Sequence, residues 1–270
     1  MHYQCPLCQL PLSLSDRTYK CDNNHQFDMA KEGYVNLMPA NQKRSKNPGD
    51  NTEMMQARRN FLNSGHYDPL ANRVAEICTR YAKASLLDIG CGEGYYTNKV
   101  QQKLKEDSQN ATVFGLDISK VAVRYASKRY SQCHFSVASS HRLPFSDASL
   151  DAILRIYAPC KAEELSRCLK ANGVAITVTP AARHLFQLRD RIYDGVRLHD
   201  ETPEQLDGFT LLHEEKLNYE MALSNGLAFD LLQMTPFAWK ATDEFRSELK
   251  TASEFICESD FMIRVYRKES

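Results

Sequence analysis

The sequence predicts an α/β protein: a mostly parallel sheet covered by helices, preceded by a small metal-stapled module. Three observations carry this. From about residue 66 onward, short apolar runs alternate with helical patterns, the signature of βαβ units. The strand-like run from Leu86 to Ile89 ends in the glycine-rich turn Gly90-Cys91-Gly92-Glu93-Gly94. Residues 1–37 are polar and turn-rich, and they hold Cys5-Pro6-Leu7-Cys8 followed by Cys21 and His25.

The first element is the metal module, residues 1–37. Cys5 and Cys8 form a knuckle whose two thiolates reach one ion, and Cys21 with His25 completes a tetrahedral Cys3His set. His2 is a competing donor, but His25 has the better spacing. A segment this polar buries too little apolar surface to order itself, so zinc must supply the folding free energy. In isolated peptides such sites contribute on the order of 10–16 kcal/mol. Four protein ligands leave no open position for a reacting water, which makes the zinc structural.

Residues 38–65 read as a linker ending in a helix. It runs through Pro39, the basic cluster Lys43, Arg44 and Lys46, and the turn Asn47-Pro48-Gly49-Asp50. Met54, Met55, Arg58 and Leu62 then share related helix faces, and Gly65 ends the helix. Residues 66–270 form the main domain. Strands are expected at 85–89, 112–116, 133–137, 150–156 and 173–179, with helices at 95–105, 119–129 and 161–170. Beyond residue 200 the pattern weakens; 216–222 and 260–267 read as closing strands around a helix at 225–233.

A chain of 270 residues suits one large domain with an appendage. Lys plus Arg and Asp plus Glu both number 34. That balance argues against indiscriminate polyanion binding and still leaves room for one basic face. The polar start Met1-His2-Tyr3-Gln4 and the lack of a long apolar run predict neither a signal peptide nor a membrane span. Nine cysteines, an odd number, do not form a disulfide framework, and cytoplasm is the expected compartment. Oligomeric state is left open; a homodimer is compatible with the sequence.

The glycine turn marks a nucleotide-type site, since glycines let backbone approach a ligand closely. Asp117 closes the next strand, where a carboxylate accepts hydrogen bonds from ribose hydroxyls. A dinucleotide favours Gly-x-Gly-x-x-Gly. This turn has Gly-x-Gly-x-Gly with Glu93 inside it, which repels a pyrophosphate and tolerates a sulfonium. S-adenosylmethionine is therefore favoured over NAD.

Across residues 66–270 the chain resembles the class I methyltransferases, a Rossmann-like fold. Asp88 through Gly94 match their first motif, Asp117 their second, and Lys170-Ala171-Asn172-Gly173 their turn before the fifth strand. The resemblance implies a seven-stranded mixed sheet whose last strand is antiparallel, with Asp88, Gly90, Gly92, Gly94 and Asp117 at the cofactor. Where relatives carry Asp or Asn after the third strand to read adenine, this chain has Ala138-Ser139-Ser140, leaving Ser139 or a backbone amide for that task.

A narrower resemblance adds the zinc knuckle, the run from His25 to Tyr34 and the Pro48-Gly49-Asp50 turn. Together with Asp88 to Thr97 they resemble the bacterial large-subunit rRNA guanine-N1 methyltransferases over nearly the whole length. This implies methylation of a guanine in a 23S rRNA hairpin, with Tyr67, Gly92, Glu93 and His184 as cofactor contacts.

Guanine N1 carries a proton that must leave before attack, so a general base or a site favouring the deprotonated base is expected. The fourth strand ends Arg155-Ile156-Tyr157-Ala158-Pro159-Cys160. Tyr157 is the candidate to stack on or orient the base and Arg155 to stabilise its anion. The general base stays unassigned: Asp151 sits too early on its strand, and His184 is the remaining option. Pro159-Cys160 resembles the nucleophile context of cytosine-C5 methyltransferases, but an ordinary cysteine is the simpler reading. The RNA surface is expected around Lys43, Arg44, Lys46, Arg58, Arg59 and the zinc module. Met234 to Trp239 offers apolar material for the pocket wall or the core. A small-molecule methyltransferase and a non-catalytic zinc-stabilised cofactor- or RNA-binding module are the competing readings.

Overall fold

The computed structural model describes residues 3–39, 52–107, 110–224 and 226–269. His2, the basic cluster Lys43, Arg44 and Lys46, and the Asn47–Asp50 turn lie outside the described residues.

At the centre stands β5 (Ser85–Ile89), buried at all five positions because both faces are covered. On one side of it lie β6 (Thr112–Asp117) and β7 (His134–Val137), on the other β8 (Leu150–Ile156) and β9 (Leu169–Pro180), all parallel. The strand β11 (Phe255–Lys268) inserts antiparallel between β9 and β10 (Phe209–Leu223). Two further helices, α7 (Leu227–Gln233) and α8 (Asp243–Thr251), lie between the last two strands in sequence.

The sheet has eight strands, one more than the seven expected. The extra one is β4 (Val35–Asn36), which pairs parallel to the outer edge of β7 through Ser136 and Val137. Two residues are too few for a periodicity to register. In the N-terminal segment, β1 (Ser13–Ser15), β2 (Thr18–Lys20) and β3 (Gln26–Asp28) form a separate antiparallel sheet.

The expected division at residue 37 is not a packing boundary. Tyr3, Cys5, Leu12, Cys21, Val35 and Leu37 share one hydrophobic cluster with Leu87, Ile89, Phe114, Leu116 and Phe145 of the main domain. The Tyr3 ring lies 5.6 Å from Phe114 and 5.1 Å from Phe145, and the Gln4 amide donates to the Pro144 carbonyl at 2.9 Å. The sheet face under the module is thus buried by the module itself.

The other face is covered by α2 (Asp68–Tyr81), α3 (Tyr95–Glu106), α7 and α8. Helix α1 (Thr52–Asn63) packs against α7. The expected helices at 95–105 and 119–129 correspond to α3 and α4 (Lys120–Arg129). The helix expected at 161–170 ends early: α5 (Ala162–Cys168) gives way to β9, whose first residues absorb the Lys170–Gly173 turn, with Asn172 at φ +61°. Both closing strands are longer than the sequence pattern indicates. Neither α2 nor the short α6 (Phe186–Asp190) nor α8 was foreseen.

Candidate active site and zinc centre

The glycine turn follows β5 because three alternate positions need left-handed backbone. Gly90, Gly92 and Gly94 have φ of +72°, +54° and +80°. A side chain at Gly90 would meet Ala158 Cβ at 2.8 Å, and one at Gly94 the Phe135 ring at 2.9 Å. Gly92 differs: nothing stands within 4 Å of where its Cβ would be. Its backbone therefore faces open space, the condition for close approach by a ligand.

Two carboxylates fix this turn. The Asp88 side chain is buried and accepts from Thr97 Oγ1 at 2.6 Å; burial pushes its carboxyl up to about 7. Asp117, at the end of β6, accepts from the Gly92 amide at 2.9 Å and the Ser119 amide at 2.7 Å. Asp88 braces the turn from beneath, and Asp117 stands beside its open glycine.

Glu93 plays a different part from the one the electrostatic reading gave it. Arg59 of α1 holds its carboxylate with both arms of the guanidinium, at 2.8 and 2.6 Å, and Arg129 Nη1 lies 3.9 Å away. Its charge is spent on the protein, so the turn does not present a bare anion to the ligand. Glu93 ties α1 to the cofactor loop instead.

Beyond the turn, aromatic rings form a chain toward the end of β8. Tyr67, just ahead of α2, is edge-on to Phe261 at 5.4 Å; Phe261 lies 4.7 Å from His184, and His184 6.2 Å from Tyr157. Burial, and then the neighbouring Tyr96 and Tyr219, hold the Tyr67 hydroxyl protonated, well above its usual range. His184 is 8% exposed, and burial lowers its pKa to about 3. Its Nδ1 lies 3.3 Å from the Asp260 amide and accepts its hydrogen, so the ring proton belongs on Nε2. Tyr157 has φ +55° and is 48% exposed. A bulky residue held in that strained conformation is a frequent mark of a functional position.

Other expected site residues are placed elsewhere. Arg155 is buried on β8, where it pairs with Glu204 of the segment between α6 and β10. Ser139 accepts from the His141 amide at 3.1 Å and lines a crevice with Gln4, Cys5 and Leu37, between module and sheet. Asp151 lies at the far end of β8, held by Lys170 and the Ala84 and Ser85 amides. Cys160 is raised to about 11 by burial, so it is a thiol at neutral pH. Among Met234 to Trp239, Trp239 is 74% exposed, whereas Met234 and Phe237 pack against the core. Phe261, Tyr96 and Tyr219 were not singled out from the sequence. Their spacing alone reads as strand and helix core.

The ligand atoms of Cys5, Cys8, Cys21 and His25 lie within 4.8 Å of one another. Cys8 Sγ is 3.6 Å from Cys21 Sγ, and His25 Nδ1 is 3.5 Å from the sulfurs of both Cys5 and Cys21. A tetrahedron with bonds of about 2.3 Å has edges of roughly 3.7 Å, so the donor set fits zinc in both chemistry and size.

The open Gly92, the carboxylate of Asp117 beside it and the switch-point geometry of the sheet fit S-adenosylmethionine, and they define a class I methyltransferase. A family model described as a methyltransferase domain matches residues 82–248, and the zinc-ribbon model "RlmA, N-terminal" matches residues 3–46. The 23S rRNA (guanine(748)-N(1))-methyltransferase of Streptomyces fradiae is 35% identical, over 88% of this chain and 86% of its own length. The YxjB protein of Bacillus subtilis (strain 168) is 31% identical, over 92% of this chain and 90% of its own. The chain belongs to the family of zinc-ribbon 23S rRNA (guanine-N1)-methyltransferases.

Proposed function

We propose that this protein methylates N1 of one guanine in a hairpin of 23S rRNA, acting in the cytoplasm with S-adenosylmethionine as donor and zinc as a structural ion. The observation that carries the acceptor site is Tyr157. It is half-exposed and left-handed, one residue before the Ala158 that touches the glycine turn. Among the described residues, no helix is long and apolar enough to cross a membrane.

When bound, the cofactor supplies a sulfonium methyl already activated for in-line displacement, so the protein's main task is alignment. Asp117 and the Gly92 backbone hold the nucleoside end. Glu93, Asp88, Gly90 and Gly94 keep the turn in shape, and Tyr67 and His184 border the cofactor. Tyr157 stacks on or orients the guanine. With its proton on Nε2 and its pKa near 3, His184 is a donor and a poor base. A neutral donor facing guanine O6 favours the N1-deprotonated form, because the anion delocalises onto that oxygen. Arg155, paired with Glu204, supports the end of β8 and acts on the base through Tyr157.

The test is methyl transfer from labelled cofactor to 23S rRNA lacking the modification, with the product mapped by mass spectrometry. N1-methylguanine at a single hairpin position is the expected result. Label confined to small molecules, or none with intact cofactor binding, overturns the reading. Tyr157→Ala should lower turnover while cofactor affinity stays within a few-fold.

A further inference from the structure

The sequence between Lys120 and Arg129 carries four cations and no acid. The structure sorts these residues by face. Ala122, Val123, Ala126 and Ser127 are buried against the sheet, whereas Lys120, Arg124, Lys128 and Arg129 are exposed. Lys120, Arg124 and Lys128 are four residues apart, so they line up along one edge of α4 about 6 Å from one to the next. That separation is comparable to the distance between neighbouring phosphates of an RNA strand.

Not every cation nearby is available. Arg59 is engaged by Glu93 and lies 4.4 Å over the Tyr125 ring. Arg129 lies over Tyr130, donates to Asn63 of α1 and reaches toward Glu93. Lys120, Arg124 and Lys128 form no ion pair among the described residues; Arg124 lies 5.6 Å over the Tyr125 ring, which leaves its charge unneutralised. Glu32 shares the neighbourhood of the Tyr34 hydroxyl with Arg124 without pairing to it. In a chain of zero net charge, a helix edge of three unpaired cations is a local excess.

Two connections link this edge to the active site. Helix α4 begins at its cap Ser119, whose amide is held by the cofactor-side carboxylate Asp117. It is joined to α1 through Arg129–Asn63 and Arg59–Tyr125, and Arg59 in turn holds Glu93 of the glycine turn.

We propose that the Lys120–Arg124–Lys128 edge of α4, flanked by Tyr125 and α1, is a docking track for the sugar-phosphate backbone of the substrate RNA beside the methylated guanine. This rests on the rRNA reading above and assigns to binding a helix outside the zinc module. The three cations contact successive phosphates and fix the register of the strand, while base identity is read elsewhere.

The experiment uses the full-length zinc-loaded protein and the variant K120Q/R124Q/K128Q; glutamine keeps helix propensity and removes only charge. Binding of a 23S rRNA hairpin transcript is measured by fluorescence anisotropy across a salt series, with cofactor affinity measured by calorimetry on the same samples. The expected result is unchanged cofactor affinity, weaker RNA binding, and a slope of log K against log salt shallower by about 1 per lost phosphate contact, about 3 in all. If wild-type protein methylates the RNA with salt-dependent binding and the variant keeps the same slope and affinity, the α4 edge is only a solvated face and the proposal fails alone. If wild-type protein neither binds nor methylates the hairpin, the rRNA reading fails and takes this proposal with it.

Discussion

Replacing Tyr3 by alanine tests whether the zinc module and the catalytic domain are one folding unit. Tyr3 is 4% exposed and touches both partners: Tyr19 of the module at 5.3 Å, and Phe114 and Phe145 of the sheet domain at 5.6 and 5.1 Å. Truncating a buried aromatic to alanine costs about 3–5 kcal/mol through lost transfer free energy and a residual cavity. For a chain of this size each kcal/mol moves the melting temperature by about 2–4 °C, so the expected drop is roughly 6–20 °C. The assay is a far-UV circular dichroism melt of zinc-loaded protein, with cofactor affinity measured in parallel. A single transition shifted by that amount means the module and the sheet unfold together. The main transition staying within about 2 °C of wild type, with a separate early loss of the module, would refute the shared core and restore a domain boundary near residue 37.

Asp117→Asn keeps the shape that caps the Gly92 and Ser119 amides but removes the charge. Cofactor affinity should fall roughly 10–100-fold, corresponding to about 1.5–3 kcal/mol for a charged hydrogen bond, and unchanged affinity by calorimetry would exclude a ribose contact. Asp88→Asn should alter the pH dependence of stability. The folded carboxyl titrates near 7, above its unfolded value of 3.8, so wild-type stability falls as pH rises between these values. Urea titrations should therefore show the variant gaining on wild type from pH 4 to 7 and parallel to it above; a constant gap across that range contradicts the assignment. Arg59→Gln leaves a nearly buried Glu93 without its main partner. It should cost about 1–3 kcal/mol in urea unfolding and weaken cofactor binding, and a silent substitution would mean α1 does not brace the glycine turn.

The strongly periodic parts of the chain were legible. The sequence placed β5 at Ser85–Ile89 and β8 at Leu150–Ile156, because continuous apolar runs between turn signals admit few other structures. The four zinc ligands were legible because two short spacings, Cys5–Cys8 and Cys21–His25, are a chemical pattern that survives any fold. What escaped was whatever depends on a distant partner. Nothing local indicates that Glu93 is neutralised by Arg59, 34 residues away, or that Arg155 pairs with Glu204 across an irregular segment. Nor could spacing say that Val35 and Asn36 would extend the sheet. Helix α2, by contrast, was within reach of the sequence: its buried residues Leu70, Ala71, Val74, Ala75, Ile77 and Cys78 recur at regular helical spacing, and Pro69 sits in its first turn.

The zinc ligands are also packing residues, which changes what the metal does. Cys5 is 1% exposed and Cys21 6% exposed, and both lie in the cluster that covers Leu87, Ile89 and Leu116 beneath the glycine turn. Holding those two thiolates therefore fixes the apolar layer over the strands that carry Asp88 and Asp117. Cys8 and Leu7, by contrast, are half-buried and exposed at the tip of the knuckle. One short motif thus points half of its residues into the catalytic domain and half toward solvent, where a substrate can meet it. Stripping the metal disturbs the buried layer and the exposed tip together, so loss of methylation in a ligand variant does not by itself identify the knuckle as an RNA reader. Separating the roles requires changes at the exposed tip that leave the buried thiolates in place.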